Sequence, residues 1–125
     1  MGDPTEWMST HPHYVHELLH DPLTWKGGFR RESLLAVRAV WPEIAAGLAQ
    51  ARPALPVLLA HGEADPIVPV ADVHTVAQTL PHATVRVLPG DLHDVLNEHD
   101  RDAVHDVVAT FLGTVVAGLR TPLAS

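Results

Sequence analysis

The chain has 125 residues, of which 46% are hydrophobic, and eight Lys and Arg stand against fifteen Asp and Glu, for a formal net charge of −7 at pH 7. This length suits one domain with a buried core, and the acidic balance argues against a nucleic-acid partner and against a polybasic membrane anchor. The absence of cysteine excludes a disulfide framework, a thiolate zinc site and a thiol nucleophile.

The location of the protein is predicted from its hydropathy. No unbroken apolar run approaches the roughly 20 residues needed to span a bilayer, and the first residues lack the apolar segment of a signal peptide. We therefore expect no transmembrane segment and a cytoplasmic location.

The N-terminal region begins with a segment that shows no periodicity, Met1–Met8, which we expect to be a loose end. A short helix is predicted next. Thr10 or His11 can cap it, Pro12 lies in its first turn, and Asp21–Pro22 ends it.

A second helix is predicted from about Glu32 to Trp41, and Pro42 can begin its continuation because proline is tolerated in a first turn. The glycine-rich loop before this helix carries Trp25 and Phe29. These two aromatic residues could line an acyl-chain pocket or belong to the core, whereas a core position is favoured for Trp41.

A strand–helix–strand unit follows. Val57–Ala60 is a continuous apolar run typical of a strand buried on both faces, and Ala83–Leu88 is a second, β-branched strand. Apolar residues at helical spacing predict a helix between them, which Pro81 ends: Val73, Val76, Ala77 and Leu80. A crossover helix of this kind connects parallel strands.

Two chemically competent residues follow the carboxyl ends of these strands, Asp65 in a polar turn and His93 in a loop. Because parallel strands open their loops on the same edge of the sheet, we expect the two side chains to meet there. A carboxylate that accepts from Nδ1–H of an imidazole fixes its tautomer and stabilises the imidazolium that forms when Nε2 takes a proton. The pair therefore predicts two members of a catalytic triad.

The last segment is predicted to be a long helix. Its apolar residues recur at three- and four-residue spacing over four turns, and Asp100 is a candidate cap. A stripe this wide is expected to pack against the sheet. The residues that form it are Val104, Val107, Val108, Phe111, Leu112, Val115, Val116 and Leu119.

The segments GEADPIVP and LHDVLNE, each after an apolar strand, resemble the end of an α/β-hydrolase chain of the monoacylglycerol lipase, lysophospholipase and serine aminopeptidase group. The upstream residues His13–Val15, Asp21–Leu23, Lys26–Gly27 and Arg30 are similar to the cap segment of bacterial members. The resemblance covers roughly residues 9–116, and cap, acid loop, histidine loop and final helix occur in the family's order.

This resemblance implies a partial α/β-hydrolase fold, with a helical cap segment at residues 1–50 and the C-terminal β-α-β-α part of the core at residues 51–125. It implies that Asp65 is the triad acid and His93 the triad base, with Asn97 and Glu98 in a supporting role only. The substrate it implies for the complete enzyme is a small-molecule ester or lipid, and no cofactor and no metal are expected.

The family's serine nucleophile has no counterpart. The three serines, Ser9, Ser33 and Ser125, lie outside any G-x-S-x-G elbow. The oxyanion-hole loop is also missing, because His61–Gly62 stands directly before the acid turn. An imidazole and its carboxylate without a nucleophile cannot run acyl transfer, so we expect the chain alone to be inactive.

A sheet of two strands is marginal by itself, and Val57–Ala60 would expose an apolar edge that invites self-association. The chain is therefore interpreted as a C-terminal fragment, whether a truncated product, a misassigned start at Met1 or half of a split protein. The alternative is a small non-catalytic α/β domain that binds a protein partner through this edge. A third hypothesis is a relative that hydrolyses epoxides or thioesters, which also needs the absent nucleophile.

Non-catalytic interpretations also remain for the site residues. Asp65 could be a turn former beside Pro66, His93 an exposed loop histidine, and Asp91 a rival acid better suited to shaping the loop. His16 and His20, one helical turn apart, could suggest a metal, but a site needs three or four converging ligands, so a solvated polar face is favoured.

Overall fold

The computed structural model describes residues 4–25, 27–50 and 55–120. Four α-helices and two strands are present there, together with short 3₁₀ helices at Pro4–Trp7 and Val95–Asn97. In chain order the main elements are α1 (Pro12–His20), α2 (Arg31–Gln50), β1 (Val57–Gly62), α3 (Val70–Thr79), β2 (Ala83–Leu88) and α4 (Arg101–Arg120).

The predicted strand–helix–strand unit is confirmed. β1 and β2 pair in parallel, with the register running from Val57 opposite Ala83 to Gly62 opposite Leu88. The helix between them ends where expected, because Leu80 forms its C-cap and the ring of Pro81 cannot continue it. The order of these elements agrees with the partial α/β-hydrolase fold expected from the sequence, and the carboxyl ends of both strands lie at one edge of the sheet.

The predicted first helix is also confirmed. Nδ1 of His11 accepts a hydrogen bond from the backbone N–H of Tyr14, which makes His11 the N-cap, and Pro12 occupies the first turn. Asp21 is the C-cap. The expectation of a loose end at Met1–Met8 is wrong for the residues described, because the carbonyls of Trp7 and Met8 accept hydrogen bonds from the histidine loop.

Burial departs from the prediction for β1. Its residues 57–61 are half-buried rather than enclosed on both faces, because β2 is the only strand that pairs with it among the described residues. In that part of the chain the buried hydrophobic residues are Val95 and Val104, whereas the buried polar residues number four: Ser9, Asp65, Asp91 and Glu98. The best-buried region therefore lies at the loops beyond the carboxyl ends of the strands.

Helix α2 is continuous through Pro42 rather than restarting there, although a proline inside a helix removes one hydrogen bond and its ring crowds the carbonyl four residues earlier. Its side chains from Arg31 to Gly47 are exposed. Trp41 is 65% exposed, so its predicted core position is wrong, and Trp25 and Phe29 are also exposed. The division into a cap segment and a core stays a prediction.

Helix α4 begins after Asp100, whose carbonyl accepts from the N–H groups of Ala103 and Val104. Val104 is fully buried, but most of the helix is exposed rather than packed on the sheet. By length and composition alone the stretch Arg101–Leu119 could cross a membrane, with a mean hydropathy of 1.4. A core helix of a soluble protein passes the same test, so this qualifies our expectation of no transmembrane segment without overturning it.

Candidate catalytic dyad

The acid turn directly after β1 holds Asp65 in one orientation. Oδ1 of its carboxylate accepts hydrogen bonds from the backbone N–H groups of Ile67 (2.7 Å) and Val68 (3.1 Å). The side chain is fully buried. Because Oδ1 is held by the backbone, the second oxygen, Oδ2, is directed away from the turn and is free for another partner.

That partner is His93, from the loop after β2. Its Nδ1 lies 2.9 Å from Oδ2 of Asp65, and its side chain is 36% exposed. A ring nitrogen this close to a carboxylate carries the proton, so the neutral ring has Nδ1–H and leaves Nε2 as the proton acceptor. The two predicted site residues are therefore brought together, although their catalytic roles remain predictions.

The charge state of Asp65 suits this arrangement. Burial by itself raises the pKa of the Asp65 carboxyl, but the hydrogen bond from His93 and those from the N–H groups of Ile67 and Val68 outweigh it and hold the pKa below its ordinary value. Asp65 is thus ionised at neutral pH, as an orienting carboxylate must be.

The two loops approach each other closely at Gly62. A Cβ at this position would overlap the backbone carbonyls of Asp91 and Leu92, so only glycine fits. The N–H of Ala64 donates to the carbonyl of Asp91 (3.0 Å), which joins the acid turn to the histidine loop. The spacing of the dyad therefore depends on a residue without a side chain.

A second imidazole, His61, borders the acid. Its Nε2 lies 2.9 Å from the carbonyl of Val68 and 3.5 Å from Oδ2 of Asp65. Because the carbonyl can only accept, Nε2 carries the proton and donates it to Val68, while the ring lies beside the carboxylate of Asp65. From the sequence, His61 is interpreted only as part of a misplaced oxyanion motif, although its position at the end of β1 points to the acid loop.

Glu98 is completely buried, which its supporting role in the sequence analysis did not indicate. Its carboxylate accepts from the backbone N–H of Leu92, from the hydroxyl of Ser9, and from both the N–H and the hydroxyl of Thr10. Asn97 makes a smaller contact, with its Nδ2 donating to Asp94 (3.0 Å).

Residues 1–100 match the family model for serine aminopeptidase, S33. The chain belongs to this family of hydrolases. No curated protein sequence gives a significant match.

Two solved structures share the fold. The crystal structure of Paleococcus ferrophilus monoacylglycerol lipase superposes with a TM-score of 0.70 at 22% identity, over 86% of this chain and 42% of the lipase. A soluble variant of monoglyceride lipase from Saccharomyces cerevisiae, in complex with a substrate analog, gives a TM-score of 0.72 at 20% identity, over 91% of this chain and 42% of that enzyme. This member of the hydrolase family therefore spans less than half the length of the two lipases.

Among the serines that the structure describes, Ser9 forms its hydrogen bonds away from the dyad. Ser9 is 3% exposed, and its hydroxyl donates to the carbonyl of Asn97 and to Glu98. Ser33 lies in α2, and Ser125 lies outside the described residues. A hydroxyl that is buried and already donating to a carboxylate cannot be activated by an imidazole elsewhere.

Asp91, the rival acid, shapes the loop. Its carbonyl accepts from Ala64, while Oδ2 of its buried side chain has no hydrogen-bond partner among the described residues. Burial, followed by the charges of Asp100 and Glu98 and a hydrogen bond with Asp100, raises the pKa of Asp91 to about 6. A carboxyl that binds its proton this readily is a poor orienting anion at mildly acidic pH.

The histidines of the N-terminal region make ring contacts in pairs. His16 and His20 have ring centroids 4.0 Å apart, and His11 stacks on His99 at 4.6 Å. Within residues 4–25, 27–50 and 55–120, no group of three or more potential ligands could hold a metal ion.

Proposed function

We propose that this chain is the C-terminal part of a serine ester hydrolase of the lysophospholipase or monoacylglycerol lipase type. The observation that carries the proposal is the 2.9 Å contact between Nδ1 of His93 and Oδ2 of Asp65. Membership of the hydrolase family and the fold shared with two lipases support it. The substrate class is a small-molecule ester or lipid.

In the complete enzyme, Nε2 of His93 takes the proton of a serine hydroxyl as that oxygen attacks the ester carbonyl. The same nitrogen then protonates the departing alcohol. Asp65 stays ionised throughout and stabilises the imidazolium, since its other oxygen is fixed by two backbone N–H groups. Deacylation by water repeats the two proton transfers.

The chain by itself is proposed to be inactive, because no G-x-S-x-G elbow occurs in its 125 residues. The nucleophile and oxyanion hole come from polypeptide that corresponds to the part of the lipases not matched here. In that assembly, residues 1–50 form part of a cap over the substrate, and residues 51–125 complete the core in the cytoplasm.

A non-catalytic binding domain is the second candidate, because the surface at β1 is apolar and open. A groove of about 400 Å³ runs between the sheet and α4. It is lined entirely by apolar residues: Leu58, Ala60, Val95, Leu96, Val108, Phe111 and Leu112. A protein partner or a second copy that added a strand to β1 would extend this surface.

Two assays of ester hydrolysis test the first proposal. The purified chain should hydrolyse a short-chain p-nitrophenyl ester no faster than His93→Ala, and a faster rate would reveal a nucleophile within the chain. A chimera that joins the unmatched part of the Paleococcus lipase to this chain should gain hydrolysis that His93→Ala and Asp65→Asn abolish. A folded, inactive chimera would contradict the proposed roles.

A further inference from the structure

Glu98 joins the histidine loop to a segment that lies 88 to 89 positions before Glu98 in the sequence. Oε1 accepts from the backbone N–H of Leu92 (2.8 Å), the residue immediately before His93. Oε2 accepts from the hydroxyl of Ser9 (3.0 Å) and from the N–H (2.8 Å) and hydroxyl of Thr10. One carboxylate therefore ties the histidine loop to the segment that precedes α1.

Three further hydrogen bonds link the histidine loop to the N-terminal region. The N–H of His93 donates to the carbonyl of Trp7 (3.4 Å), and the N–H of Asp94 donates to that of Met8 (2.7 Å). The phenol of Tyr14 donates to the carboxylate of Asp94. The main chain of His93, the candidate base, is thus held by the N-terminal segment, whereas its side chain contacts Asp65.

The bond network requires an ionised Glu98. Burial by itself raises the pKa of this carboxyl, but the hydrogen bonds from Thr10, from the N–H of Leu92 and from Ser9 outweigh it and hold the pKa below its ordinary value. Four donors pair with this completely buried charge. Removing either the carboxylate or its donors would be destabilising, since it would leave buried polar groups unpaired.

From these contacts we propose that Glu98 is the positioning residue of His93. By anchoring Leu92 to Ser9 and Thr10, Glu98 holds the histidine loop in the position where Nδ1 of His93 reaches Oδ2 of Asp65. Glu98 itself touches neither Asp65 nor the imidazole in any described contact, so it acts through the loop. The importance of this for catalysis rests on the proposed function, but the positioning itself does not.

The pKa of Asp65 is the readout, because it reports how well His93 is held. In Glu98→Gln the amide nitrogen cannot accept, so the side chain cannot serve the donors on both sides, and the His93 contact should loosen. We expect the pKa of Asp65 to rise by about 0.5 to 1, in the same direction as in His93→Ala. It would be followed by the ¹³C shift of the Asp65 carboxyl in a pH titration.

The sign of the change separates positioning from simple electrostatics. Removing the negative charge of Glu98 would by itself lower the pKa of Asp65, because a nearby like charge disfavours ionisation. Glu17→Gln, an exposed charge on α1, controls for net charge and should leave the Asp65 pKa unchanged. An unchanged or lowered pKa in folded Glu98→Gln would overturn the proposal.

A second variant covers a failure of Glu98→Gln to fold. Ser9→Ala with Thr10→Val keeps Glu98 and its bond to Leu92, but removes two hydroxyl donors from Oε2. The pKa of Asp65 should again rise, and no rise in this variant would overturn the proposal. Because neither substrate nor nucleophile is used, the result does not depend on the proposed hydrolase activity, whose own failure would appear only in the chimera assay.

Discussion

Nδ1 of His93 and Oδ2 of Asp65 lie 2.9 Å apart although 28 positions separate the two residues in the chain. The contact follows from topology, since β1 and β2 are parallel and release their loops at the same edge of the sheet. The contact also depends on Gly62, where the acid turn and the histidine loop approach each other closely. A carboxylate and an imidazole with defined orientations are thereby brought together at this edge of the sheet.

The absence of a side chain at position 62 should be essential. Gly62→Ala would push the new methyl group into the carbonyls of Asp91 and Leu92, and we expect the free energy of unfolding to fall by about 1–3 kcal/mol. The measurement is urea denaturation followed by circular dichroism.

The matched control for this substitution is Gly113→Ala. A Cβ on Gly113, in α4, meets nothing within 4 Å, so alanine should raise the free energy of unfolding by about 0.5–1 kcal/mol. Equal effects of the two substitutions would show that the close approach at Gly62 is not needed.

Asp91 should make stability depend on pH. Its folded pKa of about 6 lies above the ordinary value of 3.8, so the folded state binds the proton more tightly than the unfolded chain does. Stability contributed by this group is therefore lost as pH rises from about 4 to about 6. Asp91→Asn should raise the free energy of unfolding at pH 7 by roughly 1–3 kcal/mol and flatten the profile in that window.

The measurement for Asp91 is a series of denaturation curves from pH 3.5 to 7.5 for both proteins. Asp72→Asn, an exposed carboxylate in the first turn of α3, provides the comparison and should leave the slope between pH 4 and 6 as it is. A wild-type stability that rises through this window together with an unchanged slope in Asp91→Asn would contradict the assigned burial of Asp91.

The apolar groove beside β1 should drive self-association of the isolated chain. Leu58→Lys places a charge in this groove and should shift the chain toward monomer in sedimentation velocity experiments. Its register partner on β2, Thr84, is exposed and lies outside the groove. Thr84→Lys adds the same charge and should leave the distribution as it was; the same change in both variants would argue against the groove as the interface.

Loss of the imidazole at position 93 should destabilise the fold, because the buried carboxylate of Asp65 loses a hydrogen bond. His93→Ala removes one hydrogen bond to a charged group, and we expect the free energy of unfolding at pH 7 to fall by about 1–2 kcal/mol. His74→Ala, on the exposed face of α3, should change it by less than about 0.5 kcal/mol. Similar values for the two variants would mean that the Asp65 contact contributes nothing to stability.

Local patterns in the sequence predicted the elements and the meeting of Asp65 with His93, because periodicity and parallel connection are both readable from spacing. Burial could not be read in the same way. Val57–Ala60 looks like an enclosed strand, yet enclosure depends on neighbouring strands, and only one pairs with it in the part of the chain described. The predicted core position of Trp41 is wrong for the same reason, because burial depends on the elements that pack against a residue.

The buried polar contacts were the hardest to predict. Glu98 finds its donors at Ser9 and Thr10, 89 and 88 positions away, and no local pattern links them. The sequence therefore predicts a loose end at Met1–Met8, although the carbonyls of Trp7 and Met8 anchor the histidine loop. A buried carboxylate at the end of a recognised motif is a reason to look for distant donors.

The most direct test of the account is the tautomer of neutral His93, read from long-range ¹H–¹⁵N NMR correlations in the wild type and in Asp65→Asn. The wild type should carry the proton on Nδ1. In Asp65→Asn the amide oxygen should stay on the N–H groups of Ile67 and Val68, turning the NH₂ toward Nδ1 and moving the proton to Nε2. An Nε2–H ring in the wild type, or the same tautomer in both proteins, would contradict the claim that Asp65 orients His93 for catalysis.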